Sequence, residues 1–256
     1  MMKTTTVSKS ILIILLLLFL TSCKTRKDVV YFQNVKNFET MVDTDTFNAK
    51  LKIGDILSIY VSTLVPSASA PYNIMRSTGN QSELINYLID VDGNIDYPVL
   101  GKIKLIGLTV EGAKQLLRQK FENGNLLKDP VIIIRLLNYR VTVAGEVRNP
   151  GVYPVSGERV SILEALGMAG DLTIKGRRDN VLVIRNFNGT KTYTRIDLTS
   201  KEVFNSPVFY LTQNDYVYVE PNHSAVSGAS GDTRINTLIT ITSFIVTTAL
   251  IFVTRN

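Results

Sequence analysis

The chain contains no tryptophan and only one cysteine and one histidine in 256 residues. A lone thiol makes no internal disulfide, so the fold cannot rest on cross-links. The one imidazole, His223, stands in a Ser- and Gly-rich stretch far from Cys23, so no His/Cys pair is available for a nucleophile, a general base or a zinc site. No Gly-x4-Gly-Lys-Ser/Thr loop occurs, so bound nucleotide is not expected to supply energy. Blocks of charge are missing too. The formal net charge is +6, but the basic residues are scattered and are not interleaved with aromatics, which argues against nucleic acid as a partner. The closest acids, Asp90, Asp92 and Asp96, lack the spacing and bidentate Glu of a calcium loop. Turn formation accounts for them better than a pair of glycosidase carboxylates. No catalytic residue, metal ligand or cofactor is therefore expected, and an enzyme is not the expected class.

Long apolar runs are present, one at each end. Lys3 and Lys9 precede the run Ile11 to Leu20, a signal peptide over residues 1–22. Leu20-Thr21-Ser22-Cys23 resembles the bacterial lipobox, where cleavage precedes a Cys whose sulfur carries diacylglycerol. Lipidation of Cys23 would explain the solitary thiol, and it makes membrane lipid a partner. Removing residues 1–22 takes away two lysines and no acid, which lowers the formal charge from +6 to +4. Lys24 follows the Cys in place of Asp, which points outward, to the outer membrane.

The second run, Ile235 to Val253, has no charged side chain and is bracketed by Arg234 and Arg255. An uncharged helix of roughly 20 residues crosses a hydrocarbon core of about 30 Å, so a transmembrane helix over 235–253 is expected. At 100° per residue, Asn236, Thr237, Thr240, Ser243, Thr247, Thr248 and Thr254 share one side and Leu238, Ile245, Leu250 and Val253 the other. Such a stripe admits two readings. The hydroxyls can bond back to their own helix in a plain anchor, or they can line a hydrated pore in an assembly.

Between the ends the pattern is mixed helix and strand, an α+β chain. Residues 23–50 form a tether with one candidate strand at Val29–Phe32. A Gly54-Asp55 turn delivers an alternating strand, Ile56 to Val61, and residues 64–81, rich in Ser, Ala, Pro and Asn, are expected as a long loop. Asp92-Gly93 is expected as a hairpin turn. Thr109 caps a helix with Ala113, Leu117 and Phe121 on one face, and Val131 to Leu136 is expected as a buried strand. Val141 to Val147 turns at Asn149-Pro150-Gly151 and returns. Ser161 and Glu164 make a capping box. Two further strands flank Asn188-Gly189, and Tyr216 to Glu220 closes the fold.

Two echoes run through this order. Asp129-x-Val-Ile-Ile-Ile-Arg135 returns fifty residues later as Asp179-x-Val-Leu-Val-Ile-Arg185, and Leu51-x-x-Gly-Asp55 returns as Leu211-x-x-Asn-Asp215. Two copies suggest a pair of small domains rather than a solenoid.

Five stretches, taken in order, carry a further likeness: Ile53-Gly-Asp-Ile-Leu57, Val91-Asp-Gly-Asn-Ile-Asp-Tyr-Pro-Val-Leu-Gly101, Gly107-Leu-Thr-Val-Glu-Gly-Ala113, Val143-Ala-Gly-Glu-Val-Arg-Asn-Pro-Gly-Val-Tyr153, and Ile162-Leu-Glu-Ala165 with Ala169-Gly170. Together they resemble the outer-membrane polysaccharide export lipoproteins, the Wza-like family. The resemblance implies a polysaccharide export domain at 51–139, an SLBB domain of β-grasp type at 140–221, a linker at 222–234 and then the terminal helix. It also implies a homo-oligomeric ring in the outer membrane that exports capsular or exopolysaccharide, with periplasmic soluble domains. An inner-membrane copolymerase or tyrosine kinase is the implied partner, and Asn236, Thr237, Thr240, Ser243, Thr247 and Thr254 are the implied pore-lining positions. The alternative is a membrane-anchored lipoprotein that binds glycan or a protein partner and forms no pore.

Overall fold

The computed structural model describes residues 29–39, 49–78, 81–187, 189–229 and 233–254, side chains excepted at 78, 81, 227–229, 233–236, 249–250 and 252–254. The signal peptide, Cys23, and the side chains of Asn236 and Thr254 lie outside the described residues.

The described chain builds two hydrophobic cores. In the first unit β1 (Ile56–Ser62) buries Leu57, Ile59 and Val61 by strict alternation. After β1 come a short helix α1 (Pro66–Ser69), a 3-10 turn ending at Tyr72, and the hairpin β2 (Met75–Thr78) and β3 (Gln81–Leu84). The stretch expected as an open loop is therefore structured. Its apolar payload decides this, because Tyr72 is buried edge-on against Phe121 with ring centroids 4.8 Å apart.

β4 (Asn86–Leu88) pairs with β1. Gly93 adopts φ +82° as expected, with the Asp90 carboxylate accepting from the Asp92 and Asn94 N–H groups. The turn closes, with Gly93 N–H donating to the Asp90 carbonyl and Asp90 N–H to the Asn94 carbonyl, but the ladder does not continue back along β4. β5 (Asn94–Tyr97) pairs with β6 (Gly101–Lys104) instead of β4.

Helix α2 (Val110–Asn123) starts where the Thr109 hydroxyl accepts from Gly112 N–H, and Ala113, Leu117 and Phe121 face the core one turn apart. β7 (Val131–Leu136) then pairs along β1. It is half-buried rather than fully buried: Ile132 and Ile134 point inward and Val131 and Ile133 outward, since only one face of this three-stranded sheet is covered.

In the second unit β8 (Arg140–Gly145) and β9 (Gly151–Pro154) form the expected hairpin, followed by β10 (Val160–Ser161). Helix α3 (Ile162–Met168) carries the full capping box, with Glu164 N–H donating to Ser161 Oγ and Ser161 N–H to Glu164 Oε2. Strands β11 (Gly176–Phe187) and β12 (Thr190–Ile196) pair antiparallel. A 3-10 turn at Lys201–Asn205 and β13 (Tyr210–Leu211) precede β14 (Tyr216–Pro221). The five-stranded sheet has the order β12-β11-β14-β8-β9, with β14 parallel to β8 and antiparallel to β11.

Past β14 the chain makes α4 (His223–Ala229) and α5 (Thr233–Thr254). A helix is thus found where the sequence predicts one, 22 residues long. Among the described residues, however, no helix is long and apolar enough to cross a membrane.

Residues 29–32 are not the expected strand. Phe32 takes φ +49°, a left-handed conformation that a strand cannot hold, and its ring stacks on Phe204 at 5.2 Å. The packing and the backbone bonds from Phe32 and Gln33 N–H to Leu198 and Thr199 carbonyls tie this segment to the second core.

Candidate functional site

The two Asp turns that echo in the sequence share one geometry. Lys52 N–H donates to Asp55 Oδ2 at 2.8 Å, and Thr212 N–H donates to Asp215 Oδ2 at 2.7 Å. The residue before each Asp is left-handed, Gly54 at φ +85° and Asn214 at φ +62°. Each turn ends by launching the strand its core is built on, β1 in one unit and β14 in the other.

The two turns meet. The Lys52 ammonium is nearly buried and donates to Thr212 Oγ1 at 2.8 Å and to the Gln213 carbonyl at 3.1 Å. Asn138 joins the same seam, accepting from Ile56 N–H and donating to the Gly54 carbonyl, while Gln213 Nε2 donates to the Asn138 carbonyl at 2.6 Å. Beside the seam lies a cleft of about 360 Å³, lined by Lys52, Ile53, Asn186, Gly189, Gln213 and Asn214.

The two carboxylates at this seam have different surroundings. Asp215 has no exposed side-chain surface and is gripped by Arg185, whose Nε and Nη2 lie 3.0 and 2.8 Å from Oδ2. Among the described residues no Arg pairs with Asp55. Burial pushes its pKa up to about 6, against the Lys52 N–H bond and the Lys52 charge, which hold it down. Burial also lowers the Lys52 pKa, partly offset by attraction from Asp215.

A raised carboxyl pKa means that the folded chain keeps a proton the unfolded chain has released between about pH 4 and pH 6. The stability due to Asp55 is therefore greatest below that window and falls as pH rises through it, by about 3 kcal/mol in all. Asp55→Asn keeps an acceptor for Lys52 N–H without the charge. In urea unfolding followed by circular dichroism, the variant should gain about 2–3 kcal/mol over wild type between pH 4 and pH 7.5. An equal gap at both pH values would contradict this origin.

Segment 29–39 makes the second feature of the site. Tyr31 OH donates to Asp171 Oδ1, and Arg178 lies over the Tyr31 ring. Asn34 accepts from Lys201 N–H at 2.7 Å, and Lys201 pairs with Glu39. Burial, then the Asp171 carboxylate, raises the Tyr31 pKa, so the phenol stays protonated and donating. Cys23, outside the described residues, stands six positions before Val29 in the sequence.

The third feature is α5. Of the six positions implied as pore-lining, Thr237, Thr240, Ser243 and Thr247 have described side chains, all exposed. Ser243 Oγ donates to the Thr240 carbonyl at 2.9 Å and Thr247 Oγ1 to the Ser243 carbonyl at 2.6 Å. Thr242 and Thr248, off that line, do the same with Leu238 and Phe244. These hydroxyls satisfy their donors on the helix itself, so the stripe does not by itself require water on that side.

Sequence reasoning found both Asp turns but not their contact with each other. It also missed Arg185 as the partner of Asp215 and the docking of Tyr31 and Phe32. His223 begins α4 and is exposed.

The family model described as "Polysaccharide biosynthesis/export protein" matches residues 43–137, and the SLBB domain model matches 140–195. Together the two matches cover more than half of the chain. The chain belongs to the polysaccharide export family.

Two curated members of this polysaccharide export family illustrate the likeness. The "EPS I polysaccharide export outer membrane protein EpsA" of Ralstonia solanacearum is 26% identical over 208 residues, 75% of this chain and 54% of its own length. The protein of the same name from Ralstonia nicotianae is 30% identical over 159 residues, 57% of this chain and 40% of its own length. The chain thus spans about half the length of these relatives or less. The first core falls entirely within the polysaccharide export match, and the seam joins it to the part that begins with the SLBB match.

Proposed function

We propose that this chain is an outer-membrane lipoprotein whose copies close into a ring and let capsular or exopolysaccharide pass from the periplasm to the cell surface. The observation that carries the reading is that both membrane-directed ends attach to one unit. Segment 29–39, just after the lipidation position, is strapped to the second core, and α5 leaves from β14 of that same core. Lipid on Cys23 and insertion of 235–253 would then hold the second unit against the outer membrane, with the first unit reaching into the periplasm. Family membership and the printed names of the two relatives support the cargo and the location.

Conduction in this reading is passive. No nucleotide-binding loop occurs in the 256 residues, so force comes from a partner, for which an inner-membrane copolymerase or tyrosine kinase is the family's expectation. In a ring, Asn236, Thr237, Thr240, Ser243, Thr247 and Thr254 would face the lumen. The hydroxyl oxygens of Ser243 and Thr247 keep lone pairs for water even after donating backward along the helix.

One observation favours a second reading. Because the hydroxyls of Thr242, Ser243, Thr247 and Thr248 donate to carbonyls of their own helix, α5 suits a simple lipid anchor equally well. In that case the chain is a glycan- or partner-binding lipoprotein without a pore.

Deletion of the gene tests the export role. Surface polysaccharide should be lost, with material accumulating inside the envelope. Unchanged amount and location of surface polysaccharide would contradict it.

A further inference from the structure

One face of the five-stranded sheet is left over by the fold. Val181, Val183, Val217 and Val219 point into the second core, so their neighbours on β11 and β14 point away from it. Register then aligns these neighbours across strands. Ile184 lies between Tyr193 on β12 and Tyr216 on β14, and Leu182 lies between Arg195 and Tyr218. Tyr193 is 65% exposed and Tyr216 37%, while Tyr218 is half-buried.

These three tyrosines differ from Tyr97, Tyr139 and Tyr153. The hydroxyls of Tyr97, Tyr139 and Tyr153 each donate to a backbone carbonyl. Among the described residues, the hydroxyls of Tyr193, Tyr216 and Tyr218 have no such partner, and their rings pair with no other ring. Tyr193 and Tyr216 sit two strands apart, roughly 10 Å, and Tyr218 lies about 7 Å further along β14. That interval is of the order of a disaccharide.

The rim is cationic. Lys191, next to Asn186 in register, has no carboxylate partner among the described residues. Arg195 pairs with Glu220 at 2.8 Å, and Arg177 pairs with Asp179 at 2.9 Å and more distantly with Glu220 at 3.4 Å, so Lys191 is the cation that the rim leaves uncompensated. Asn186 carries the face into the seam cleft, whose other walls include the amides of Gln213 and Asn214.

We propose that this face is a binding track for acidic polysaccharide. Aromatic planes take the apolar C–H face of a pyranose ring, free phenol hydroxyls and amides meet sugar hydroxyls, and the ammonium and guanidinium groups meet sugar carboxylates. A second copy of the chain is a poorer occupant, because a chain that stays net positive even without residues 1–22 would bring more positive charge to a cationic rim. The cargo class rests on the export reading; the track itself does not.

The test uses the full-length protein in detergent, with polygalacturonate as the acidic probe and dextran as the neutral one, read by affinity electrophoresis. Wild type should be retarded by polygalacturonate more than by dextran, and less so at high salt. Tyr193→Ala and Tyr216→Ala should each weaken retention about tenfold with unchanged melting temperature, while Tyr193→Phe stays within about threefold of wild type. Lys191→Ala should reduce the salt dependence. Absence of retardation by polygalacturonate, or retention unchanged in Tyr193→Ala/Tyr216→Ala, overturns the track. A shift in oligomeric state with unchanged retention overturns it too, assigning the face to a second copy. If gene deletion removes surface polysaccharide but the double variant binds normally, export stands and the track falls. If deletion has no effect, export fails while the binding result still decides the track.

Discussion

Arg185→Ala should destabilise the second unit by about 3–5 kcal/mol, because it strands the Asp215 carboxylate with no exposed surface and only the more distant Lys52 ammonium as countercharge. The guanidinium also donates to the Tyr210 carbonyl at 2.8 Å, so the β13 end of the turn loosens as well. At about 2–4 °C per kcal/mol for a chain of this size, the melting temperature should fall by roughly 10 °C or more. Arg185→Lys restores charge but not the two-pronged grip, and should recover only part of the loss. A drop of under about 1 kcal/mol for the alanine variant would show that water or a neighbouring cation replaces the pair.

Gly145→Ala should be at least as damaging. Gly145 closes β8 at φ +90°, and a Cβ there would lie 2.0 Å from the Val219 carbonyl oxygen, on the strand that β8 pairs with in parallel. Overlap with backbone cannot be relieved by a rotamer change, so β8 or β14 must move, at about 3 kcal/mol or more. Gly189→Ala is the control. Its φ of +83° is equally left-handed but nothing lies within 4 Å of the added atom, so only the backbone term of about 1 kcal/mol is expected. Melting followed by circular dichroism should separate the two variants by several degrees, and similar losses in both would contradict the overlap.

Much of the local architecture was legible because its causes are local. Thr109 and the Ser161/Glu164 box begin helices by bonding orphan N–H groups three residues on, and such spacing is written in the sequence. The echo of Leu51-x-x-Gly-Asp55 in Leu211-x-x-Asn-Asp215 was legible for the same reason, since each Asp closes its own turn. What those turns do to each other was not legible. That Lys52 reaches Thr212 depends on how two cores are set side by side, and no spacing rule spans that separation. Strand partners were legible only in part: Asp92-Gly93 makes its turn, but β5 forms its ladder with β6 and not with β4. Alternation showed that Tyr216 and Tyr218 share a side of their strand. Only the register with β11 and β12 brought Tyr193 beside them.

The hydroxyl stripe of α5 remains compatible with a lumen or an anchor, because Ser243, Thr247 and Thr248 already bond to their own helix. Electron microscopy of the purified full-length protein in detergent separates these most directly. A conduit predicts closed rings of subunits around a central opening. Solitary particles or compact dimers would contradict it.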